Sequence, residues 1–244
     1  MAFLQVTFFS QTLGMNMDMD VLLPENPTSA PPIKTVYLLH GMSDNQTNWQ
    51  RYSAVERHIL GKNVAVVMPT THLAWYTDME CGYLRYFTFV SEEVPAVCRR
   101  MFPQLSSKRE DNFIAGLSMG GYGALKIALS HSDAFEKVAC YSAAFGHVTR
   151  EYTPYWNSVF GDTPEKREKH RIETYIENNI AGNNRKPPVY MWCGTEDGLL
   201  QSNRDTRDLL ISKGFDVTYS ESEGGHEWRC WDEQFRRSLD FFGI

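Results

Sequence analysis

The chain contains five short, continuous apolar runs that are separated by segments with helical spacing. The runs cover residues 35–39, 63–68, 112–117, 137–141 and 189–193. Runs of this length without polar alternation are typical of strands that are buried on both faces. Because strands of this kind alternate with helices, the sequence predicts an α/β fold with a mostly parallel central sheet and helices on both faces.

Three segments extend this pattern at its margins. Residues 3–10 and 15–23 alternate partly between apolar and polar residues around a turn at Gly14, which predicts an antiparallel edge pair. Residues 216–220 alternate as well and are expected to form an edge strand. Residues 88–102 have helical spacing, and Pro95 within them predicts a kink or a later start of the helix.

Residues 145–187 interrupt the alternation of strands and helices. They contain no buried-strand run and are rich in charged and aromatic residues. Two interpretations remain open: a small cap-like insertion before the next strand, or a long surface excursion with one helix over 164–178. Since 244 residues fit one domain, we expect a single domain over residues 1–244 that includes this insertion.

Charge, hydropathy and cysteine content narrow the class of protein. The net charge is −6, and the Lys and Arg residues form no stripe or tail, which argues against a nucleic-acid partner. No apolar run approaches the ~18 residues of a membrane span, and residues 1–10 lack the features of a signal peptide. Five cysteines without a C-x-x-C pair are expected to be reduced, which predicts a cytoplasmic protein.

The sequence Gly116-Leu117-Ser118-Met119-Gly120 fits the pattern G-x-S-x-G. A buried-strand run precedes it and a helix-compatible run follows, which is the context of a nucleophilic serine on a sharp strand-to-helix turn. Small neighbours are required there because two backbone segments pass close to each other. We therefore predict Ser118 as a nucleophile; the alternative is a glycine-rich packing turn whose serine only caps the helix.

A serine nucleophile needs a base, and His226 is the best placed of the seven histidines. It follows Gly224-Gly225 after the last strand and precedes the terminal helix. The acid that orients it should lie between Ser118 and His226, at the end of a strand. Asp197 follows the run 189–193 and is preferred over its neighbour Glu196, which would be an ordinary turn residue.

Two backbone N–H groups are candidates for an oxyanion hole. Gly41 ends the first buried run and allows a sharp turn, so that the N–H of Met42 can face Ser118. The N–H of Met119 would be the second donor. His40 directly precedes the turning glycine and is interpreted as a structural imidazole that fixes this loop.

Aromatic residues near these motifs are candidates for a substrate pocket. Trp75 and Tyr76 follow a strand end, and Trp228 lies two residues from His226. With Met42 and Met119 they would form a small apolar pocket; the alternative is that some of these rings belong to the core. The histidines and acids form no metal-binding spacing, so neither a metal nor a cofactor is expected.

Together these motifs resemble the esterase D / tributyrin esterase group of α/β-hydrolases, which is related to S-formylglutathione hydrolases and some feruloyl esterases. The residues that carry the resemblance are L-L-H-G-M-S-D-N (38–45) with Trp49, M-P-T (68–70), W-Y-T-D-M (75–79), G-L-S-M-G-G-Y-G-A (116–124), C-G-T-E-D (193–197) and G-G-H-E-W (224–228). The resemblance implies the α/β-hydrolase fold, a triad of Ser118, Asp197 and His226, and hydrolysis of short acyl esters. Residues 145–187 match no motif of the group, which leaves the natural substrate open.

Three other functions compete with a short-chain carboxylesterase. A thioesterase of the S-formylglutathione hydrolase type would use the same triad, because both reactions pass through a tetrahedral oxyanion. A non-catalytic binding protein would be expected to lack a triad member, and an acyltransferase that moves the acyl group to a sugar or lipid is the third alternative. The expected partner is a small-molecule ester, with no nucleic acid and no membrane, and the sequence leaves a homo-oligomer open.

Overall fold

A computed structural model describes residues 1–25, 32–150 and 153–244, and its centre is one eight-stranded sheet. The strands lie in the spatial order β1-β2-β4-β3-β5-β6-β7-β8. The first two pair antiparallel with each other, β2 pairs antiparallel with β4, and all pairs from β4 to β8 are parallel. The strands are β1 (Ala2–Ser10), β2 (Met15–Leu23), β3 (Lys34–Leu39), β4 (Val64–Pro69), β5 (Asn112–Leu117), β6 (Lys137–Tyr141), β7 (Val189–Gly194) and β8 (Val217–Ser222).

Helices connect the parallel strands. The α-helices are α1 (Asn48–Tyr52), α2 (Val55–Ile59), α3 (Tyr86–Thr88), α4 (Val94–Met101), α5 (Met119–Ser130), α6 (Pro154–Phe160), α7 (Pro164–Glu168), α8 (Ile172–Ala181), α9 (Leu200–Ser212) and α10 (Trp228–Phe242). A π-helical turn covers Phe89–Glu93, and 3₁₀ turns cover Arg109–Asp111 and Phe145–Thr149. None of the described helices is long and apolar enough to cross a membrane.

The sheet has an apolar core on each face. Along β3, Tyr37 and Leu39 belong to one core cluster, whereas Val36 and Leu38 belong to the other. Successive side chains of a strand point to opposite faces, so continuous apolar runs are needed when both faces are covered. The predicted mostly parallel sheet with helices on both faces is therefore confirmed, as are the edge pair β1–β2 and the edge strand β8.

The helical segment around Pro95 starts earlier than predicted and is not interrupted. It runs from Tyr86 to Met101 through α3, the π-helical turn and α4. The N–H of Val94 donates to the carbonyl of Phe89, five residues back, directly before the proline. Proline lacks an N–H and its ring crowds the carbonyl four residues earlier, so a wider turn accommodates it without breaking the helix.

The alternative with one helix over 164–178 is wrong, because α7 ends at Glu168 and α8 begins at Ile172. His170 lies between them, its ring bonded to the Glu80 carboxylate at 2.8 Å and its carbonyl accepting from the Tyr122 hydroxyl at 2.6 Å. These tertiary bonds replace the helical continuation. The segment 145–187 also contains α6, which the sequence did not suggest; its residues 151 and 152 lie outside the described residues.

The described cysteines form no disulfide. All five of them are free: Cys98, Cys140, Cys193 and Cys230 are buried, and Cys81 is exposed.

Candidate active site

Ser118 occupies a strained turn between β5 and α5. Its backbone has φ +52° and ψ −117°, outside the regions that residues with a side chain favour. A Cβ on Gly116 would lie 2.4 Å from the carbonyl carbon of Gly120, and a Cβ on Gly120 would lie 2.5 Å from the carbonyl oxygen of Leu39. Only glycine at both positions lets the three backbone segments meet, and the serine is thereby held at the carboxyl edge of the sheet.

The backbone of Ser118 is fixed by the neighbouring strand. Its N–H donates to the carbonyl of Tyr141 at 2.9 Å, and its carbonyl accepts from the N–H of Ala144 at 3.0 Å. The strain of the turn is thus balanced by hydrogen bonds to the end of β6. The side chain still reaches solvent, since 9% of the residue is exposed.

Asp197 and His226 form a hydrogen-bonded pair across two loops. The Nδ1 atom of His226 lies 2.8 Å from Oδ2 of Asp197, and Oδ1 of Asp197 accepts from the Leu199 N–H at 2.9 Å. The Asp197 side chain is 1% exposed, whereas that of His226 is 38% exposed. Burial alone would raise the pKa of the carboxyl group, but these hydrogen bonds outweigh burial and hold the pKa below its ordinary value.

An ionised Asp197 fixes the tautomer of the histidine. A carboxylate can only accept, so Nδ1 of His226 carries the proton and Nε2 keeps its lone pair. The edge of the imidazole packs against Trp231, with ring centroids 4.8 Å apart at 84°. The ring is therefore held from two sides, and Nε2 is the atom available to take up a proton.

Ser118, Asp197 and His226 lie in the wall of one cavity of about 420 Å³. A volume of this size suits a small-molecule substrate. Glu196, the sequence rival of Asp197, is exposed and does not line the cavity. The lining residues are Met42, Trp75, Ser118, His147, Arg150, Asp197, Gly198, Leu199 and His226.

The loop after β3 approaches Ser118 closely. A Cβ on Gly41 would lie 2.6 Å from Cδ1 of Leu117 and 3.7 Å from Cβ of Ser118. Met42 follows and lines the cavity, and Met119 is the first residue of α5. Within the described chain, neither the N–H of Met42 nor that of Met119 donates to a protein acceptor. Met119 is fully buried and does not itself line the cavity.

His40 is buried beneath this loop and is not available as a base. The Thr71 N–H donates to its Nε2 at 3.0 Å, so its Nδ1 carries the proton and donates to the Gly41 carbonyl at 2.7 Å. Burial lowers the pKa of His40 to about 4, which keeps the ring neutral near pH 7. The imidazole ties the loop after β3 to the loop after β4.

Of the three predicted pocket rings, only Trp75 lines the cavity. Tyr76 is fully buried behind the loop after β3, where its hydroxyl donates to the His40 carbonyl at 2.9 Å. Trp228 packs against Trp49 at the start of α10, with ring centroids 5.2 Å apart. Assigning Tyr76 and Trp228 to the pocket wall is therefore corrected: both rings belong to the packing that supports the site.

Lys126 on α5 is a buried contributor that the sequence did not reveal. Its Nζ donates to Thr77 Oγ1 at 2.7 Å, lies 3.5 Å from the Trp75 carbonyl and sits 4.9 Å from the ring centroid of Tyr122. Burial holds the pKa of this ammonium group well below its usual value. The lysine binds the turn that carries Trp75, where Trp75 and Tyr76 both have positive φ.

His147 and Arg150 also line the cavity, although sequence reasoning assigned them no role. The His147 ring stacks on Trp75, with centroids 5.4 Å apart at 26°. Burial first, and then the positive charge of Arg150, lower the pKa of His147 to about 4. The available signal was their position shortly after β6, since site residues collect at the carboxyl ends of parallel strands.

Among the described residues, no group of three or more His, Cys, Asp or Glu side chains is arranged to hold a metal ion. The polar side chains that meet in the cavity include the Ser118 hydroxyl and the imidazole–carboxylate pair of His226 and Asp197. This set can perform nucleophilic acyl transfer with general-base assistance.

Comparison with known proteins assigns the chain to a family. The family described as "Putative esterase" matches residues 10–242. An acetyl esterase of Caldicellulosiruptor saccharolyticus is 31% identical over 261 aligned residues, which cover 99% of this chain and 98% of the relative.

Two solved structures from Staphylococcus aureus are similar over the whole chain. A fluorophosphonate-binding serine hydrolase superposes with a TM-score of 0.91 at 31% identity, covering 100% of this chain and 98% of the other. An S-formylglutathione hydrolase superposes with a TM-score of 0.88 at 30% identity, covering 100% and 99%. The chain therefore belongs to this esterase family and is a serine hydrolase with the α/β-hydrolase fold.

Proposed function

We propose that the protein is a serine carboxylesterase that hydrolyses short-chain acyl esters through an acyl-enzyme. One observation carries the proposal: Ser118 and the Asp197–His226 pair line the same cavity. A serine hydroxyl is a weak nucleophile until a base removes its proton, and an imidazole with a fixed tautomer is that base. The roles proposed are nucleophile for Ser118, base for His226 and orienting acid for Asp197.

In the first half of the reaction, Ser118 Oγ attacks the ester carbonyl carbon while Nε2 of His226 takes up the hydroxyl proton. The carbonyl oxygen becomes an oxyanion, which the N–H groups of Met42 and Met119 stabilise. The N-terminus of α5 contributes a favourable dipole at the same point. The buried Asp197 carboxylate stabilises the imidazolium that forms.

The tetrahedral intermediate then collapses and the C–O bond to the alcohol breaks. The imidazolium of His226 gives its proton to the leaving alcohol, and the acyl group remains on Ser118. In the second half, His226 removes a proton from water, and the resulting attack releases the acid and restores the serine. In these reaction steps His226 takes up and returns every proton, so no external acid or base is needed.

The acyl group is proposed to be short, from acetyl to about butyryl. Trp75 supports this, because it closes one side of the cavity and is itself backed by Trp156 and Phe160, with ring centroids 5.3 and 5.8 Å away. A wall of packed rings cannot recede for a long chain, whereas each methylene that fits contributes about 0.8 kcal/mol. For p-nitrophenyl esters from C2 to C12, kcat/KM should peak at C2 to C4 and fall steeply after C6. A maximum at C8 or longer would contradict the short-chain assignment.

A thioesterase is the second candidate function. It is favoured by the similarity to the S-formylglutathione hydrolase, and the same groups would serve, because a thioester passes through the same oxyanion. Turnover of S-formylglutathione and p-nitrophenyl acetate by one preparation decides between the two. A kcat/KM that is at least a hundredfold higher for the thioester would make thioester hydrolysis the main activity.

Residues 145–187 are proposed to act as a cap-like insertion in a single domain. His147 and Arg150 support this, because they come from this segment and line the cavity. α6 adds support through Tyr155, whose hydroxyl accepts from Nε1 of Trp75 at 2.8 Å. The insertion would thus shape the acyl or alcohol side of the cavity.

The experiment that tests the nucleophile is Ser118→Ala with active-site labelling. The variant should fold, lose kcat by about 10⁴-fold and fail to react with a fluorophosphonate. Ser107→Ala is the matched control, since Ser107 is exposed and does not line the cavity. Labelling of a different serine in the wild type would overturn the assignment.

A further inference from the structure

The cavity wall carries a positive charge at Arg150. Among the described residues, no carboxylate lies within ion-pair distance of its guanidinium group. The carboxylate in the lining, Asp197, is bonded to His226 and has a side chain that is 1% exposed. Although the chain has a net charge of −6, the exposed charged side chain in the described lining is that of Arg150.

The backbone of Arg150 is anchored by a second, buried arginine. Arg167 is 2% exposed, and its guanidinium group donates to the carbonyls of Val148 and Arg150 and, at 2.9 Å, to that of Gly161. A side chain that extends from a fixed turn binds a ligand with a smaller loss of conformational freedom than one on a free loop. The Arg150 side chain therefore extends to the cavity from a backbone turn that is held by hydrogen bonds.

The surroundings of Arg150 on the cavity side are uncharged and aromatic. His147 stacks on Trp75 and is neutral near pH 7, because burial and then the positive charge of Arg150 lower its pKa to about 4. Among the described lining residues, the one carboxylate is that of Asp197, which is buried and bonded to His226, so no exposed carboxylate of the described lining faces the guanidinium. Arg150 is exposed, and an arginine can bind a planar carboxylate through two parallel hydrogen bonds.

The cavity is large enough to hold a substrate carboxylate in addition to the acyl group. At about 420 Å³ it falls within the range that holds a whole small molecule, not only an acetyl or butyryl group. We propose that the substrate is an ester or thioester that also carries a carboxylate, which Arg150 binds while the acyl carbon lies at Ser118. This inference rests on the proposed function, and it adds the chemical class of the substrate.

The test compares matched anionic and neutral substrates in four proteins. One pair varies the leaving group, with 4-acetoxybenzoate against its methyl ester. The other pair varies the acyl group, with the p-nitrophenyl monoester of succinate against its methyl ester. The proteins are the wild type, Arg150→Gln, Arg150→Lys and the control Arg100→Gln, whose arginine is exposed on α4 and does not line the cavity.

For each pair, the ratio of kcat/KM for the anionic ester to that for the neutral ester is measured. Intrinsic reactivity cancels when the ratios of two proteins are compared. In Arg150→Gln the ratio should fall about tenfold relative to the wild type, mainly through KM, as expected for loss of a charged hydrogen bond. Arg150→Lys should retain part of the preference, and Arg100→Gln should retain all of it.

A fall in the first pair assigns the carboxylate to the leaving group, and a fall in the second assigns it to the acyl group; either supports the proposal. Equal ratios in the wild type and Arg150→Gln for both pairs would overturn it while the esterase function stands. If the wild type hydrolyses none of the four esters, the proposed function fails and this inference falls with it.

Discussion

Replacement of Asp197 by Asn tests how the acid works, because the structure fixes what the amide must do. One carboxylate oxygen accepts from the Leu199 N–H at 2.9 Å and the other accepts from His226 Nδ1 at 2.8 Å. An asparagine keeps the first bond only if its oxygen faces Leu199. Its NH₂ group then faces Nδ1, which must become an acceptor, and the imidazole proton moves to Nε2, the atom that should accept the proton of Ser118.

Two free-energy costs follow for Asp197→Asn. Turning the amide to restore the active tautomer leaves the part-buried Leu199 N–H without its protein acceptor, which costs about 1–3 kcal/mol. Loss of the charged hydrogen bond to the imidazolium removes about 1.5–3 kcal/mol of transition-state stabilisation. The sum of about 2.5–6 kcal/mol corresponds to a loss of roughly 10²- to 10⁴-fold in kcat.

The assay is kcat for p-nitrophenyl acetate with Asp197→Asn and Glu196→Gln side by side, after circular dichroism and thermal unfolding confirm that both fold. Glu196 is exposed and lies next to Asp197, so it controls for loss of a negative charge in the same loop. We expect Glu196→Gln to remain within about twofold of the wild type, as is usual for exposed positions. If Asp197→Asn keeps more than a tenth of the activity, or if Glu196→Gln is the more damaging change, the tautomer reasoning is refuted.

Two further predictions concern the glycine turn and a buried acid. In Gly120→Ala the new Cβ would lie 2.5 Å from the carbonyl oxygen of Leu39, so kcat should fall at least 10²-fold. The control is Gly146→Ala, whose Cβ would meet only Ser202 Cβ at 3.8 Å, and its kcat should stay within a few-fold of the wild type. Burial raises the pKa of Asp20 to about 6, so the fold loses stability as pH rises from about 4 through 6. Asp20→Asn should remove that loss. In urea unfolding at pH 4.5 and pH 8, the free energy of unfolding of the variant relative to the wild type should rise with pH, toward at most about 3 kcal/mol. A difference between the two proteins that is the same at both pH values would contradict the assignment.

The sequence by itself determined the sheet and the order of the candidate site residues along it. Continuous apolar runs report burial on both faces, and burial on both faces requires a parallel sheet with helices around it. Ser118, Asp197 and Gly41 each follow such a run. Because the carboxyl ends of parallel strands meet at one edge, residues far apart in the chain could be expected at one cavity.

The tertiary structure decided which side chains face the cavity. Trp75 and Tyr76 are neighbours, and the sequence predicts both equally as pocket residues. Both have positive φ angles, and in the structure Trp75 lines the cavity whereas Tyr76 is bonded to the His40 carbonyl behind the cavity wall. The charged wall at Arg150 depends on Arg167, seventeen residues later in the chain. Neither contact leaves a local pattern in the sequence.

The break at His170 has the same origin. Its ring is held by Glu80, ninety residues earlier, and its carbonyl by Tyr122, forty-eight residues earlier. Local spacing reports whether a residue is buried and in which kind of element. It carries no information on which distant partner the residue meets, because that depends on how the chain packs as a whole.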